Sequence, residues 1–121
     1  MTDVRHVAGR QGEDFASDHY KRLGYDVLAR NHRTRFGELD LVVFDGFTLV
    51  FVEVKTRRSG TREPWENLHD RKQSQVRKMA MVWLGDPANR PRFGQLRFDG
   101  VAIQLDAAGD LVRLDHLEAA F

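Results

Sequence analysis

Apolar residues recur every three to four positions in two stretches of the chain and alternate or run together in the stretches between, a pattern that predicts a small α/β domain. From residue 4 to 23, Ala8, Gly12, Phe15, Ala16, His19 and Leu23 share one helical face, and Gly24 ends the helix. Tyr25 to Asn31 reads as a strand. Residues 37–44 and 48–56 form a hairpin about Asp45-Gly46, because the favoured two-residue turn needs positive φ, which Gly and Asp tolerate. In that register Phe44 faces Phe47, Asp40 faces Phe51 and Glu38 faces Glu53. A loop rich in Arg, Gly, Ser and Pro follows from Arg57 to Trp65. A second helix is predicted over 67–84, with Leu68, Val76, Met79, Ala80 and Trp83 on one face. A strand over 96–103 comes next, and after Asp106 to Asp110 a short strand or tail runs through Leu114. No repeat or linker divides the chain, so one domain over 1–121 is expected, with a core of about 5–103 and an acidic tail of about 106–121.

The hairpin carries the chemistry. By the period of two, Glu38, Asp40, Glu53 and Lys55 project from one face. Opposed side chains on a sheet sit roughly 5 Å apart, so the three carboxylates repel one another. Charges on a solvated hairpin face are the usual reading of a strand Glu-X-Lys. Here Val50, Val52 and Val54 fill one face of the second strand, while Leu49 and Phe51 continue the charged face, as in a central strand buried on both sides. Charge at the end of such a strand is costly unless paired or metal-bound. A hard divalent ion such as Mg²⁺ takes oxygen ligands and would neutralise the group.

Composition narrows the options. A chain of 121 residues, 41% hydrophobic and 31% charged, is ordinary for a globular protein. No run reaches the length of a membrane span and MTDVRHVAGR lacks the apolar core of a secretory signal, so a cytoplasmic protein with no membrane association is expected. The absence of cysteine excludes disulfides and thiolate zinc sites, and the five histidines are not spaced as metal ligands. Any metal would be held by oxygen. The net charge of +1 is uneven: residues 99–121 carry one Arg against five acids, a balance of −4, which leaves +5 for residues 1–98. Positive charge clusters at Arg30, Arg33 and Arg35, at Lys55, Arg57, Arg58 and Arg62, and at Arg71, Lys72, Arg77 and Lys78. These clusters flank the acidic group, as a phosphate-backbone binder requires. Each taken alone reads equally as solvated surface.

Asp40 followed across a hairpin by Glu53-Val54-Lys55 resembles the core of the PD-(D/E)XK nuclease superfamily. The wider run is similar to the YraN-type (UPF0102-like) bacterial family, a branch related to archaeal Holliday-junction resolvases. Gly9 to Asp14, Gly24-Tyr25, Arg30-Asn31, Gly37 to Val42, Leu49 to Arg57, Lys72-Gln73 and Arg97-Phe98-Asp99 carry that resemblance over about residues 5–103. It implies a restriction-endonuclease-like αβββαβ core, a mixed sheet flanked by helices, and a metal-dependent endonuclease acting on DNA, with branched or flapped structures among the expected substrates.

On that reading Asp40 and Glu53 hold Mg²⁺ or Mn²⁺ with Glu13, and Glu38 serves as a further metal ligand or hydrogen bonder. Lys55 is catalytic. Gln73 is carried over as a site residue from resolvase-like relatives, and Lys72 with less weight. Arg33, Arg35, Arg57, Arg58 and Lys72 would bind nucleic acid. Glu13 by position alone is an even choice between a solvated helix charge and a ligand. His19 reads as half-buried packing, Trp83 as core, and Trp65 as packing rather than base stacking. Asp99 is divided between a structural and a catalytic role. Two rival functions stay open, a non-catalytic nucleic-acid-binding module and a protein-interaction subunit docking through its acidic tail. A homodimer is expected only by analogy with enzymes that cut two strands of a junction.

Overall fold

The computed structural model describes residues 4–59, 71–88 and 90–120. Helix α1 (Val4–Arg22) is followed by strands β1 (Asp26–Thr34), β2 (Gly37–Phe44) and β3 (Thr48–Arg58), helix α2 (Arg71–Gly85), and strands β4 (Gln95–Leu105) and β5 (Leu111–Leu117). They build one mixed sheet in the order β1-β2-β3-β4-β5, antiparallel throughout except between β3 and β4. Parallel neighbours need a crossover, and α2 lies in it. The architecture is an α/β fold consistent with a restriction-endonuclease-like core.

Alternation along β3 explains the two-sided core. Val50 and Val52 join Ala16 and Tyr20 of α1, while Leu49 and Phe51 join Val76, Met79, Ala80 and Trp83 of α2. Every residue from Thr48 to Glu53 is buried, as expected of the middle strand of five. The Trp83 ring meets Phe51 edge-on at 5.6 Å. Tyr20, wholly buried, occupies the place in the α1 face that the pattern assigned to Leu23, which is 54% exposed beyond the helix end. At Gly12 the helix sits against β3 so closely that a Cβ would overlap the Thr56 side chain.

The hairpin register differs from the expected one by two residues. Phe44 pairs with Leu49 and Leu41 with Val52, instead of Phe44 with Phe47. The Asp45 carboxylate accepts the N–H groups of Phe47 (2.9 Å) and Thr48 (2.7 Å), which makes Asp45 the first residue of the turn and puts Gly46, at φ 100°, in its first central position. Because the shift is even, the change of register by itself turns no side chain to the other face. Other boundaries also move: β1 runs on to Thr34, and the segment after Asp110 is a full edge strand ending at Leu117. The predicted loop over 57–65 begins as strand to Arg58; Arg62, Trp65, Leu68 and the predicted helix start at 67 lie outside the described residues.

A buried polar hub closes the α1 face at the β4–β5 side. Asp99 is fully buried and accepts five hydrogen bonds: from Arg97 Nε (2.7 Å) and Nη2 (2.9 Å), the Tyr20 hydroxyl (2.9 Å), His116 Nε2 (2.8 Å) and the Ala119 N–H (3.1 Å). His19 Nε2 lies 3.0 Å from His116 Nδ1, so the half-buried histidine packs by hydrogen bonding to β5. Burial would raise the Asp99 pKa, but the hydrogen bonds from Arg97, His116, Ala119 and Tyr20 outweigh it and hold the carboxyl below its ordinary value. Asp99 therefore has the structural of its two expected roles.

Removing the carboxylate should strip the half-buried Arg97 of its bidentate partner, leaving the Tyr25 hydroxyl and the Glu118 carboxylate at 3.8 Å, so Asp99→Ala is expected to cost about 3 kcal/mol. A depressed folded-state pKa stabilises above the unfolded value of about 3.9 and is lost as pH falls through the folded value. Urea unfolding between pH 7 and pH 2 should accordingly show less acid-induced loss over that window in Asp99→Asn than in the parent; equal losses would remove Asp99 as the cause.

Candidate metal centre

The β2–β3 ladder stops at Leu41↔Val52, and Asp40 is the residue just past it. There the Asp40 Oδ2 accepts the Val54 N–H at 2.7 Å, a side chain taking the place of a strand carbonyl. Continuing the observed register puts Asp40 level with Glu53. The Glu53 carboxyl is within hydrogen-bonding reach of Asp40 and acts on it through that contact and its charge. Glu53 is 7% exposed on the α2 face, and alternation puts Lys55 on the same face two residues on. Glu53, Lys55, Arg57 and Arg58 all have interactions of their own.

Glu13 reaches the group from α1. Carboxylate oxygens of Glu13, Glu38 and Asp40 lie within 4.8 Å of one another. Glu13 follows Gly12, whose tight seat on Thr56 sets the helix at this depth. The Asn31 side chain hydrogen-bonds the Glu13 carboxyl. Asn31 itself stands in β1 at φ 51°, between the pairs Arg30↔Leu41 and His32↔Leu39, so it is level with Asp40. A left-handed residue inside a strand is strained, and Asn is among the few side chains that tolerate it. Arg33 faces Glu38 at 4.0 Å with 88% of its side chain exposed, too far and too solvated to neutralise it.

Burial and neighbouring negative charge dominate the electrostatics of Asp40 and Glu13. Burial, and then the charge of Glu53, push the Asp40 pKa well above its ordinary value, against a lowering by the Val54 N–H. Burial also raises the Glu13 pKa, and the Glu38 charge adds to it, against the Asn31 hydrogen bond. Glu13 Oε2 is buried with no hydrogen-bond partner among the described residues. An orphaned buried oxygen beside two other carboxylates, with an oxygen-only donor set, fits a hard divalent cation such as Mg²⁺ or Mn²⁺. A pocket of about 150 Å³ opens alongside, lined by Phe36, Glu38, Glu53, Gln75 and Met79.

Of the residues singled out in the sequence, Glu13, Glu38, Asp40 and Glu53 come together, with Lys55 on the shared face. Lys72 and Gln73 belong to the first turn of α2, and their side chains lie outside the described residues. Arg33 and Arg35 flank the β1–β2 turn. Asn31 as a partner of Glu13, and Gln75 as a pocket residue, were not anticipated. The motif Arg30-Asn31 marked the first, whereas Gln75 had no signal apart from its helical spacing.

A mixed five-stranded sheet between two helices, with an acid cluster where two central strands part, defines an α/β protein of restriction-endonuclease-like core. The chain belongs to the UPF0102 family, the YraN-type one: the model described as "Uncharacterised protein family UPF0102" matches residues 12–103. It is 46% identical over 121 residues to a UPF0102 protein of Frankia casuarinae, covering 98% of each chain. It is 41% identical over 126 residues to one of Pelotomaculum thermopropionicum, covering the whole of both. A third, from Geobacter sulfurreducens, is 42% identical over 120 residues, 95% of this chain and 88% of its own. Among the described residues, no helix is long and apolar enough to cross a membrane.

Ionised Asp40 is a cost to the folded, metal-free protein at neutral pH, since its pKa is raised only on folding. Asp40→Asn keeps an oxygen for the Val54 N–H and removes the charge. Its melting temperature in excess chelator should exceed the parent's by a few degrees. Millimolar Mg²⁺ or Mn²⁺ should then stabilise the parent more, since a ligand at about 100 times its dissociation constant contributes roughly 2.7 kcal/mol. Identical melting of both proteins in both conditions would mean that the carboxylates share no ion.

Proposed function

We propose that this protein is a metal-dependent DNA endonuclease that hydrolyses phosphodiester bonds, with branched or flapped DNA as its substrate class. The observation that carries the reading is the convergence of Glu13, Glu38 and Asp40 within 4.8 Å, with Asp40 also in hydrogen-bonding reach of buried Glu53. Four acids crowded at one point oppose folding, and sites that bear such a cost are typically functional. On this reading Asp40, Glu53 and Glu13 hold Mg²⁺ or Mn²⁺, with Glu38 as a further ligand or hydrogen bonder. Such an ion supplies Lewis acidity at the phosphoryl oxygen and a water of lowered pKa.

The chain's own groups do the rest. Lys55, on the Glu53 face, orients or deprotonates the attacking water and offsets charge developing on the phosphoryl group. Gln73 positions water or phosphate, a role taken from the resolvase resemblance, and Arg33, Arg35, Arg57, Arg58 and Lys72 bind the backbone. A homodimer would match two such sites to the two strands of a junction. The docking alternative meets a physical objection, because residues 111–117 of the acidic segment are already strand β5 and His116 serves the Asp99 hub.

A panel of linear, single-stranded, flapped and four-way-junction DNAs, resolved on denaturing gels, tests this. Cleavage should require Mg²⁺ or Mn²⁺ and fall at least about 100-fold in Asp40→Ala, Glu53→Ala and Lys55→Ala, each checked for folding by circular dichroism. Cleavage that persists in the Asp40→Ala, Glu53→Ala double variant would sink the mechanism. Binding without cleavage by the parent would favour a non-catalytic nucleic-acid-binding module.

A further inference from the structure

Two cations rest on a ring at the wall of the acidic pocket, and a third rests on a ring of β4. The Arg35 guanidinium lies 4.8 Å from the centroid of Phe36, and Lys78 Nζ reaches the same ring from α2 at 5.6 Å. One turn-side helical neighbour, Arg77, stands over Phe98 at 4.8 Å. Phe36 is itself a wall of the pocket that contains Glu38 and Glu53. Both cations are exposed and share one ring, which holds them at a fixed spacing from each other. Neither Arg35 nor Lys78 forms an ion pair with a carboxylate among the described residues. The arrangement is the counterpart in sign of the carboxylate cluster, and an anionic backbone passing the ring could pair with both cations.

We propose that Arg35 and Lys78, held together by Phe36, form a two-cation clamp that grips the phosphate backbone of one nucleic-acid strand at the mouth of the acidic pocket, with Arg77 continuing the track along α2. The ring binds cations, which leaves it unsuited to stacking on a base. Recognition at the clamp is accordingly of phosphate and independent of sequence. Arg35 comes from the β1–β2 turn and Lys78 from α2, so the clamp bridges the two elements that border the pocket. The inference rests on the endonuclease reading for its ligand, and it assigns the side from which the strand enters.

Fluorescence anisotropy with a single-stranded and a duplex oligonucleotide, in excess chelator so that nothing is cut, measures affinity against salt. Each phosphate contact contributes about −0.7 to the log–log slope on single strands and about −0.9 on duplex. The Arg35→Ala, Lys78→Ala double variant should therefore have a slope shallower by about 1.4 or 1.8 units, whichever form the clamp grips. Phe36→Leu, which keeps apolar bulk, should weaken binding with both charges still present. A control removing two charges from the end of α1, on the opposite face of the sheet, is Lys21→Ala with Arg22→Ala, and its slope should match the parent's. All variants are first shown to melt as folded proteins.

Parent-like slopes in the Arg35, Lys78 variant would overturn the clamp and leave DNA binding standing. An equal loss of slope in the Lys21, Arg22 control would overturn it too, as an effect of net charge. No binding of either oligonucleotide by the parent would overturn the clamp, while the endonuclease reading would stand or fall on the cleavage panel with flapped and four-way-junction DNA. A slope that drops as expected in a protein that cleaves no DNA in Mg²⁺ or Mn²⁺ would support the clamp and refute only the catalytic reading.

Discussion

The hydrogen bond from the Val54 N–H to Asp40 Oδ2 stands where the β2–β3 ladder ends, and the arrangement of the acids depends on it. A regular ladder would carry a strand carbonyl at that point and send the Asp40 side chain to one face of the sheet. With the carboxylate turned onto the neighbouring backbone, Asp40 can meet Glu53 on the α2 face and Glu13 from α1. Below this point β2 no longer alternates as it does above. Leu39 packs with the α2 cluster although Leu41 packs with the α1 cluster, and left-handed Asn31 of β1 stands level with Asp40.

Two aspartates, Asp99 buried and Asp40 half-buried, show how surroundings set the charge of a carboxyl. Asp99 is enclosed by donors, one of them a bidentate guanidinium, and its pKa is depressed. Asp40 has one backbone donor and three acidic neighbours, and its pKa is raised. The first arrangement favours the folded protein at neutral pH and the second opposes it. A carboxylate arranged against folding is one that a cation would relieve, and this contrast is the physical ground on which the proposed function gives the two aspartates different roles.

Much of this was legible in the chain. Strand β3, apolar on both faces and ending in Glu53 and Lys55, identified itself as central, and the period of two put the charges on one side whatever the register. The register itself was not legible, because Asp45-Gly46 suits two turns, and only the capture of the Phe47 and Thr48 N–H groups by Asp45 selects between them. Helical spacing assigned Leu23 to the α1 face and left Tyr20 out. What decided for Tyr20 was a hydroxyl that could reach Asp99, about eighty residues away and invisible to any local pattern. His116 was hidden for the same reason, lying on an edge strand beyond the family-matched segment 12–103.

The two acid centres are joined through α1. Gly12 seats the helix on Thr56 beside Lys55, and Glu13 is the next residue; two turns on, Tyr20 enters the Asp99 hub with His19 against His116. A helix held at both places cannot retreat from the acid cluster without breaking the hub or opening the Gly12 contact. Strain at a site persists only where its surroundings over-determine it. Here the satisfied hydrogen bonds around Asp99 hold α1 in place, and α1 in turn holds Glu13 among carboxylates that would otherwise drive it into solvent.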